Sequence, residues 1–323
     1  MFEKFYGFKG RPFQLTPDAS FFFKSKVHLK AISYLLYGLG QGEGFIVLTG
    51  EVGAGKTTLL KHLLSRLDGN QYIAAQIETS QLGADDMLRM VAYALGIQGT
   101  GDKASLLSQI QRFLLANHQA GRRCLLLVDE AQNLGIPALE ELRMLSNFQA
   151  DGKSLIQSFL VAQPQFRTII ASPDLEQVRQ RVIASYHLGP MSEEETGAYI
   201  DHRLRTAEWR DDPSFDEGCI AAIYRHTQGV PRRINTLMSR LLLFGYLEEL
   251  HRFTTDMVES VAADLQSEIQ AASPQQTLIA LPVEQPRWID DMEQRLQRID
   301  ARCERHDAVL RRTLGLVAEL VAR

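Results

Sequence analysis

Nine residues, Gly50-Glu51-Val52-Gly53-Ala54-Gly55-Lys56-Thr57-Thr58, restrict what this chain can fold into more than any other stretch. They fit the spacing Gly-x-x-x-x-Gly-Lys-Ser/Thr, with the apolar run "GFIVLTG" ahead and a helical pattern from Thr57 to about Leu67 behind. A strand that ends in glycine and hands over to a helix is the context that gives this pattern physical content. Glycines let successive backbone N–H groups curl around phosphate oxygens, which a Cβ would obstruct. The helix that opens there adds its positive dipole end. Lys56 is placed to reach the outer phosphates of a nucleotide, and the Thr57 hydroxyl to ligate Mg2+.

Downstream, strand and helix patterns alternate. "YIAAQIET" reads as a second strand, with helices expected at about 84–95 and 103–119. "RCLLLVDE" is a continuous apolar run ending in acids, the signature of a strand covered on both faces. A helix (about 137–149), the strand "LIQSFLVAQ", a helix near 174–180 and the strand "VIASYHL" follow. This alternation predicts an α/β fold with a parallel sheet of about five strands. Carboxylates at the ends of parallel strands lie where ligands bind. Asp129 is therefore expected to hold Mg2+ and Glu130 to polarise an attacking water, which favours hydrolysis over binding alone. No Asn-Lys-x-Asp sequence specifies guanine, so ATP is the expected nucleotide.

From "MSEEETGAYIDHRL" the pattern turns all-helical. Ser192 and Glu195 fit a capping box, and further helices are expected at about 215–227, 231–248 and 254–269. The predicted organisation is an aromatic-rich segment and helix (1–44), an α/β nucleotide-binding domain (45–190), a helical lid (191–269), a proline-bearing linker (270–287) and a coiled-coil helix (288–323). The last rests on a stripe at alternating spacings of three and four, from Ile289 through Met292, Leu296, Ile299, Cys303, His306, Leu310, Thr313 and Val317 to Leu320. Such a stripe favours self-association or a partner helix. The aromatic cluster Tyr6, Phe8 and Phe13 is expected in core packing rather than as a wall for the base.

Composition narrows the rest. The net charge of −4 excludes a wholly basic nucleic-acid or anionic-membrane binder. Cys124, Cys219 and Cys303 are far apart and form no Cys-x-x-Cys pair, so neither a disulfide framework nor a zinc site is indicated. No signal peptide is evident, and no stretch reaches the ~20 apolar residues of a membrane-spanning helix. A cytoplasmic protein is expected, peripheral at the inner membrane only through a partner.

In "GVPRRINTL" (229–237) two arginines open a helix. Guanidinium groups match phosphate oxygens and never lose their charge, so this stretch is a candidate for sensing the γ-phosphate. Taken together, "GEVGAGKTT", "LLLVDEAQNL", "LRMLSNF", "LVAQPQF", "VRQRVIASYHLGPMSEEETGAYIDHRL" and "GVPRRIN" resemble the AAA+ ATPases of the general secretion pathway protein A type. They resemble most the subgroup associated with exosortase/PEP-CTERM exopolysaccharide systems, over about residues 1–268. Transposition ATPases of the TniB and MuB type are more distant.

The resemblance implies an ATP- and Mg2+-dependent ATPase working as a homo-oligomer, a hexamer among the candidates. Arg232 would be the lid arginine on the γ-phosphate, with Arg233 a flank and with Gly229 and Pro231 setting the turn before it. Arg181 would be the finger supplied to a neighbouring subunit, with Arg179 the alternative. Gln163 would stand at the polar sensor position, with Asn147 as competitor. The implied role is assembly or regulation of an envelope secretion or exopolysaccharide export system, with a partner docked on the coiled coil. A DNA-binding ATPase like the transposition regulators, and a nucleotide-gated scaffold, are the alternatives. Beyond residue 270 the chain departs from the secretion-type pattern, with neither a membrane span nor a peptidoglycan-binding domain, so a wall-remodelling role does not carry over.

Overall fold

The computed structural model describes residues 2–16, 21–78 and 83–272, and the chain up to Ser267 forms one compact unit. The expected coiled coil lies outside the described residues. So does the expected linker, apart from the backbone of 270–272, which continues the last helix.

The chain opens with α1 (Phe2–Phe5) and α2 (Lys26–Gln41), followed by β1 (Phe45–Gly50), α3 (Lys56–Leu64) and β2 (Tyr72–Glu78). Then come α4 (Ala84–Ala94), α5 (Lys103–Gln119), β3 (Arg123–Asp129) and α6 (Ile136–Ser146). A small antiparallel ladder of β4 (Gln149–Ala150) and β5 (Lys153–Ser154) leads into β6 (Ile156–Ala162). After α7 (Phe166–Ile170), α8 (Glu176–Arg179) and β7 (Val182–Leu188), the lid begins with α9 (Glu193–Thr206). It continues through β8 (Ser214–Phe215), α10 (Cys219–Thr227), α11 (Pro231–Leu247), β9 (Arg252–Phe253) and α12 (Thr255–Ala272).

The five long strands form one parallel sheet in the order β2-β3-β6-β1-β7, as the alternating pattern predicts. Burial follows position in the sheet. β1 and β6 are buried along their whole length, and β3 along all but its ends. The edge strands β2 and β7 carry exposed residues between buried ones, because only a central strand needs apolar side chains on both faces. Alternate residues serve opposite faces. Phe45 and Val47 pack with α4, α5 and α6, while Ile46 and Leu48 pack with α2 and α3. Filling each such apolar site contributes about 1.5–3 kcal/mol.

The register brings the strand ends level, with Thr49 beside Ala162 and Glu78 beside Asp129. One edge of the sheet therefore gathers Gly50, Gln163 and Asp129–Glu130 from the adjacent strands β1, β6 and β3.

The lid has its own core, and the N-terminal aromatics belong to it. Tyr6, Phe8 and Phe13 are buried among Tyr199, Ile223, Met238, Leu241 and Phe253. The Tyr6 hydroxyl donates to the carbonyl of Leu250 at 2.9 Å. The capping box on α9 forms as expected, with the Glu195 N–H on Ser192 Oγ and the Ser192 N–H on Glu195 Oε2. Sequence periodicity does not anticipate β4, β5, β8 and β9, which are two residues each, too short for a pattern to register.

Candidate nucleotide-binding site

The glycine-rich loop leaves β1 at Gly50 and enters α3 at Lys56. Lys56 is buried, and its ammonium folds back to donate to the carbonyls of Gly50 (2.7 Å) and Glu51 (3.0 Å). Burial lowers its pKa, against the opposing pull of Glu130, Asp129 and Glu51. Val52, Gly53, Gly55, Lys56, Thr57 and Thr58 line a cavity of about 330 Å³, within the range of small-molecule sites. Ala54 turns away into the core under α2 and α3.

Across from the loop, the Thr57 hydroxyl donates to Asp129 Oδ2 at 2.7 Å. A hydroxyl and a carboxylate side by side are the hard oxygen donors that Mg2+ takes while keeping other positions for water and phosphate. The described residues contain no cluster of three or more His, Cys, Asp or Glu able to hold a metal. Thr57 and Asp129 offer two hard oxygens side by side, which leaves most positions of an Mg2+ ion to a ligand and water.

Glu130 follows with φ +54°, a left-handed conformation that a non-glycine residue adopts at some cost. Its N–H donates to Asp129 Oδ1 (2.9 Å), and its Oε2 accepts from the side-chain amides of Gln132 and, at 3.1 Å, Gln163. Burial raises the Glu130 pKa, but the two amide donors and the charge of Lys56 together outweigh it. The carboxylate is thus held ionised and facing the cavity. Gln163 reaches the site through Glu130, and its own N–H is fixed by Gln132 Oε1 at 2.9 Å.

The lid closes the other side. Pro231 occupies the first turn of α11 and contributes no N–H there. The next N–H, from Arg232, donates to the Gly53 carbonyl at 3.1 Å. At Gly53 (φ +80°) a Cβ would sit 2.2 Å from the Arg232 Cβ, so only glycine admits this approach. Gly229 (φ +69°) sets up the turn, accepting from the Met191 N–H at 3.1 Å. Arg232 lines the cavity and Arg233 does not.

Several cavity residues carry no motif. Arg203, buried on α9, donates to the carbonyls of Pro12 (2.5 Å) and Gln14 (3.3 Å) and to the Tyr199 hydroxyl (2.9 Å). Its guanidinium lies over the Phe21 ring at 4.8 Å. Tyr199 in turn donates to Asn235 Oδ1 at 2.8 Å. This network straps residues 12–14 to the lid, and Gln14, Tyr199, Arg203 and Asn235 line the same cavity as Lys56. The spacing of Tyr199 and Arg203 by four places them on one face of α9, a weak signal that sequence alone gives no reason to single out.

The remaining arginines lie elsewhere. Arg181 immediately precedes β7, and its carbonyl accepts from the Phe45 N–H at 2.8 Å, where β1 begins. Five strand residues, ~17 Å at about 3.3 Å each, separate that end from Gly50. Its guanidinium donates to Asn147 Oδ1 at 2.5 Å, so Asn147 sits at the far edge too and does not compete with Gln163 for Glu130. Arg179 donates to the carbonyl of Ala171 (3.1 Å). The structure thus brings the loop, Asp129, Glu130, Gln163 and Arg232 together and keeps Arg181 out of its own chain's site.

A family model described as AAA domain matches residues 39–170. The chain carries an AAA domain. It is 36% identical over 254 residues to general secretion pathway protein A of Aeromonas hydrophila, an alignment covering 78% of this chain and 46% of that protein. The chain thus spans about half the length of this curated relative. Among solved structures it is similar to the ORC2 protein of Aeropyrum pernix in its ADP form, with 17% identity and a TM-score of 0.60 over 79% of this chain and 73% of that one. It is also similar to Cdc6p of Pyrobaculum aerophilum, with 16% identity and a TM-score of 0.60 over 75% and 67%. The RuvB Holliday junction branch migration motor of Thermotoga maritima matches at 20% identity and a TM-score of 0.50, over 74% and 68%. At such identities these three establish the AAA+ fold alone. No helix among the described residues is long and apolar enough to cross a membrane.

Proposed function

We propose that this AAA-domain protein binds ATP with Mg2+ and hydrolyses it to ADP and phosphate. The observation that carries the reading is convergence. The loop around Lys56, the Thr57–Asp129 pair, the ionised Glu130 and the lid's Arg232 all meet at one cavity. Lys56, which folds onto its own loop carbonyls, is a cation ready to exchange those partners for phosphate oxygens. Thr57 and Asp129 would hold the metal, which when bound offsets charge on the outer phosphates. Glu130 orients a water and draws a proton from it as the new O–P bond forms and the bridge to the β-phosphate breaks. Arg232 binds the γ-phosphate from the lid, tying lid position to nucleotide state.

Arg181 is proposed to act on a neighbouring copy. Its position at the far edge of the sheet favours that role over one in its own site. The similarity to general secretion pathway protein A supports a place in assembly or regulation of an envelope export system. ATP turnover tests the core of the proposal. The wild-type chain should release phosphate, and Lys56→Ala and Glu130→Gln should each lower kcat at least a hundredfold. Turnover that survives Glu130→Gln unchanged would remove Glu130 from the mechanism.

A further inference from the structure

One buried imidazole beside the phosphate loop has no part in the chemistry above. His28, in the first turn of α2, is 5% exposed and lines the cavity. Its Nε2 lies 3.1 Å from where a Cβ on Gly55 would be and so faces the loop, where the Ala54 backbone raises the ring's pKa against the larger effect of burial. The other ring nitrogen, Nδ1, lies 2.6 Å from Ser25 Oγ.

Ser25 Oγ accepts from the His28 N–H as the cap of α2 and can also give its own hydrogen to Nδ1. Nδ1 then accepts, and Nε2 carries the proton toward the loop. Burial lowers the His28 pKa, which keeps the ring neutral.

The helix bearing His28 is fixed at both ends. At its start the Lys26 N–H donates to Glu195 Oε1 at 2.6 Å, so the carboxylate that caps α9 also caps α2. At its last turn Gln157 donates to the Gly38 carbonyl (2.8 Å) and Arg123 to the Leu39 carbonyl (2.7 Å), both from central strands. Glu195 of the lid is thus bonded to Lys26, the chain neighbour of Ser25, whose hydroxyl meets the His28 ring beside the phosphate loop.

We propose that His28 is a positioning residue of the phosphate loop. Locked by Ser25 as the Nε2–H tautomer, it holds the Ala54–Gly55 backbone in the curl that receives phosphate, and Glu195 ties that hold to the lid. His28 touches neither the reacting atoms nor the metal ligands, so its effect falls on nucleotide binding rather than on turnover. This inference rests on the ATP reading above and extends it to the residue that shapes the loop.

The test separates a donor from a filler. His28→Leu keeps the bulk and loses the N–H, while His28→Gln places an amide N–H near the position of Nε2. Binding is read with a fluorescent ATP analogue and turnover at saturating ATP. Relative to wild type, His28→Leu should raise Kd about tenfold with kcat within about twofold, the cost of one hydrogen bond in a preorganised loop. His28→Gln should recover most of the affinity. Ser25→Ala, which frees the tautomer while leaving the ring in place, should raise Kd about threefold. It carries the test if His28→Leu does not fold, as judged by its melting curve. His28→Leu binding like wild type, His28→Gln binding no better than His28→Leu, or an unchanged Kd for Ser25→Ala would each overturn the proposal. If the wild-type chain itself binds no ATP analogue, the nucleotide reading falls and takes this one with it.

Discussion

Replacing Gly229 by alanine tests how the lid reaches the phosphate loop, because this residue lies outside the cavity. Its φ of +69° is a region alanine occupies at a cost of about 1–2 kcal/mol. The larger effect is steric. A Cβ there would lie 2.0 Å from the Met191 carbonyl oxygen and 2.9 Å from its carbon, which are backbone atoms and cannot swing aside. The two segments must separate by more than 1 Å to restore ordinary contact, which breaks the bond from the Met191 N–H to the Gly229 carbonyl, worth about 1 kcal/mol net. Together the variant should lose about 2–4 kcal/mol of lid stability. It should also shift the start of α11, so that Arg232 no longer meets Gly53.

Gly121→Ala is the control, since Gly121 has nearly the same φ (+74°) with nothing within 4 Å of a new Cβ. Urea unfolding of both variants, followed by tryptophan fluorescence, gives the stability difference, and ATP binding gives the functional one. The expected result is a loss for Gly229→Ala exceeding that for Gly121→Ala by at least 1 kcal/mol, with ATP affinity reduced only in the former. Equal losses in the two variants, with ATP affinity intact in both, would refute the argument that this contact places Arg232.

Two further outcomes are expected. Arg232→Ala keeps the backbone bond to Gly53 and removes one charge-assisted contact of about 1.5–3 kcal/mol, so ATP affinity should drop by about 10- to 150-fold while ADP affinity barely moves. Isothermal titration with each nucleotide measures the pair, and equal losses for both would detach Arg232 from the γ-phosphate. Mixtures of Lys56→Ala and Arg181→Ala chains should show partial recovery of ATPase activity, since intact loops and intact fingers then meet across interfaces. Recovery absent at every mixing ratio would rule out Arg181 acting between chains.

The parts of the site that share a local pattern are legible in the amino-acid sequence. The loop of residues 50–58 and the acids that close "RCLLLVDE" are read from spacing and from a strand buried on both faces, and they lie at the ends of β1 and β3. Arg232 is legible as a helix start, although its contact with Gly53 joins residues far apart in the chain. Gln163 and Asn147 look equivalent in sequence, each a polar residue closing an apolar segment. Sheet topology separates them, because α6 runs back across the sheet and leaves Asn147 on the edge with Arg181. His28, Arg203 and the second role of Glu195 leave no trace in sequence spacing. Arg203 and Glu195 meet backbone groups of the N-terminal arm and α2, and His28 sits against the backbone of the phosphate loop. Backbone groups look alike in every sequence.

The packing of Tyr6, Phe8 and Phe13 into the lid core has a consequence for how the chain is made. The bond between Tyr6 and Leu250 joins residues 244 positions apart, with the whole α/β sheet encoded between them. On the ribosome, at about 5–20 residues per second, these three aromatic rings wait roughly 12–50 s for α11 and β9 to emerge. The sheet domain has time to form first, leaving a sticky leading segment exposed to chaperones or to other nascent chains. An expressed fragment ending before Leu250 would keep that segment permanently uncovered, and one starting after Phe13 would leave the lid core unfilled. Both ends of this unit are therefore needed for soluble production, even though the phosphate loop and its acids lie wholly between them.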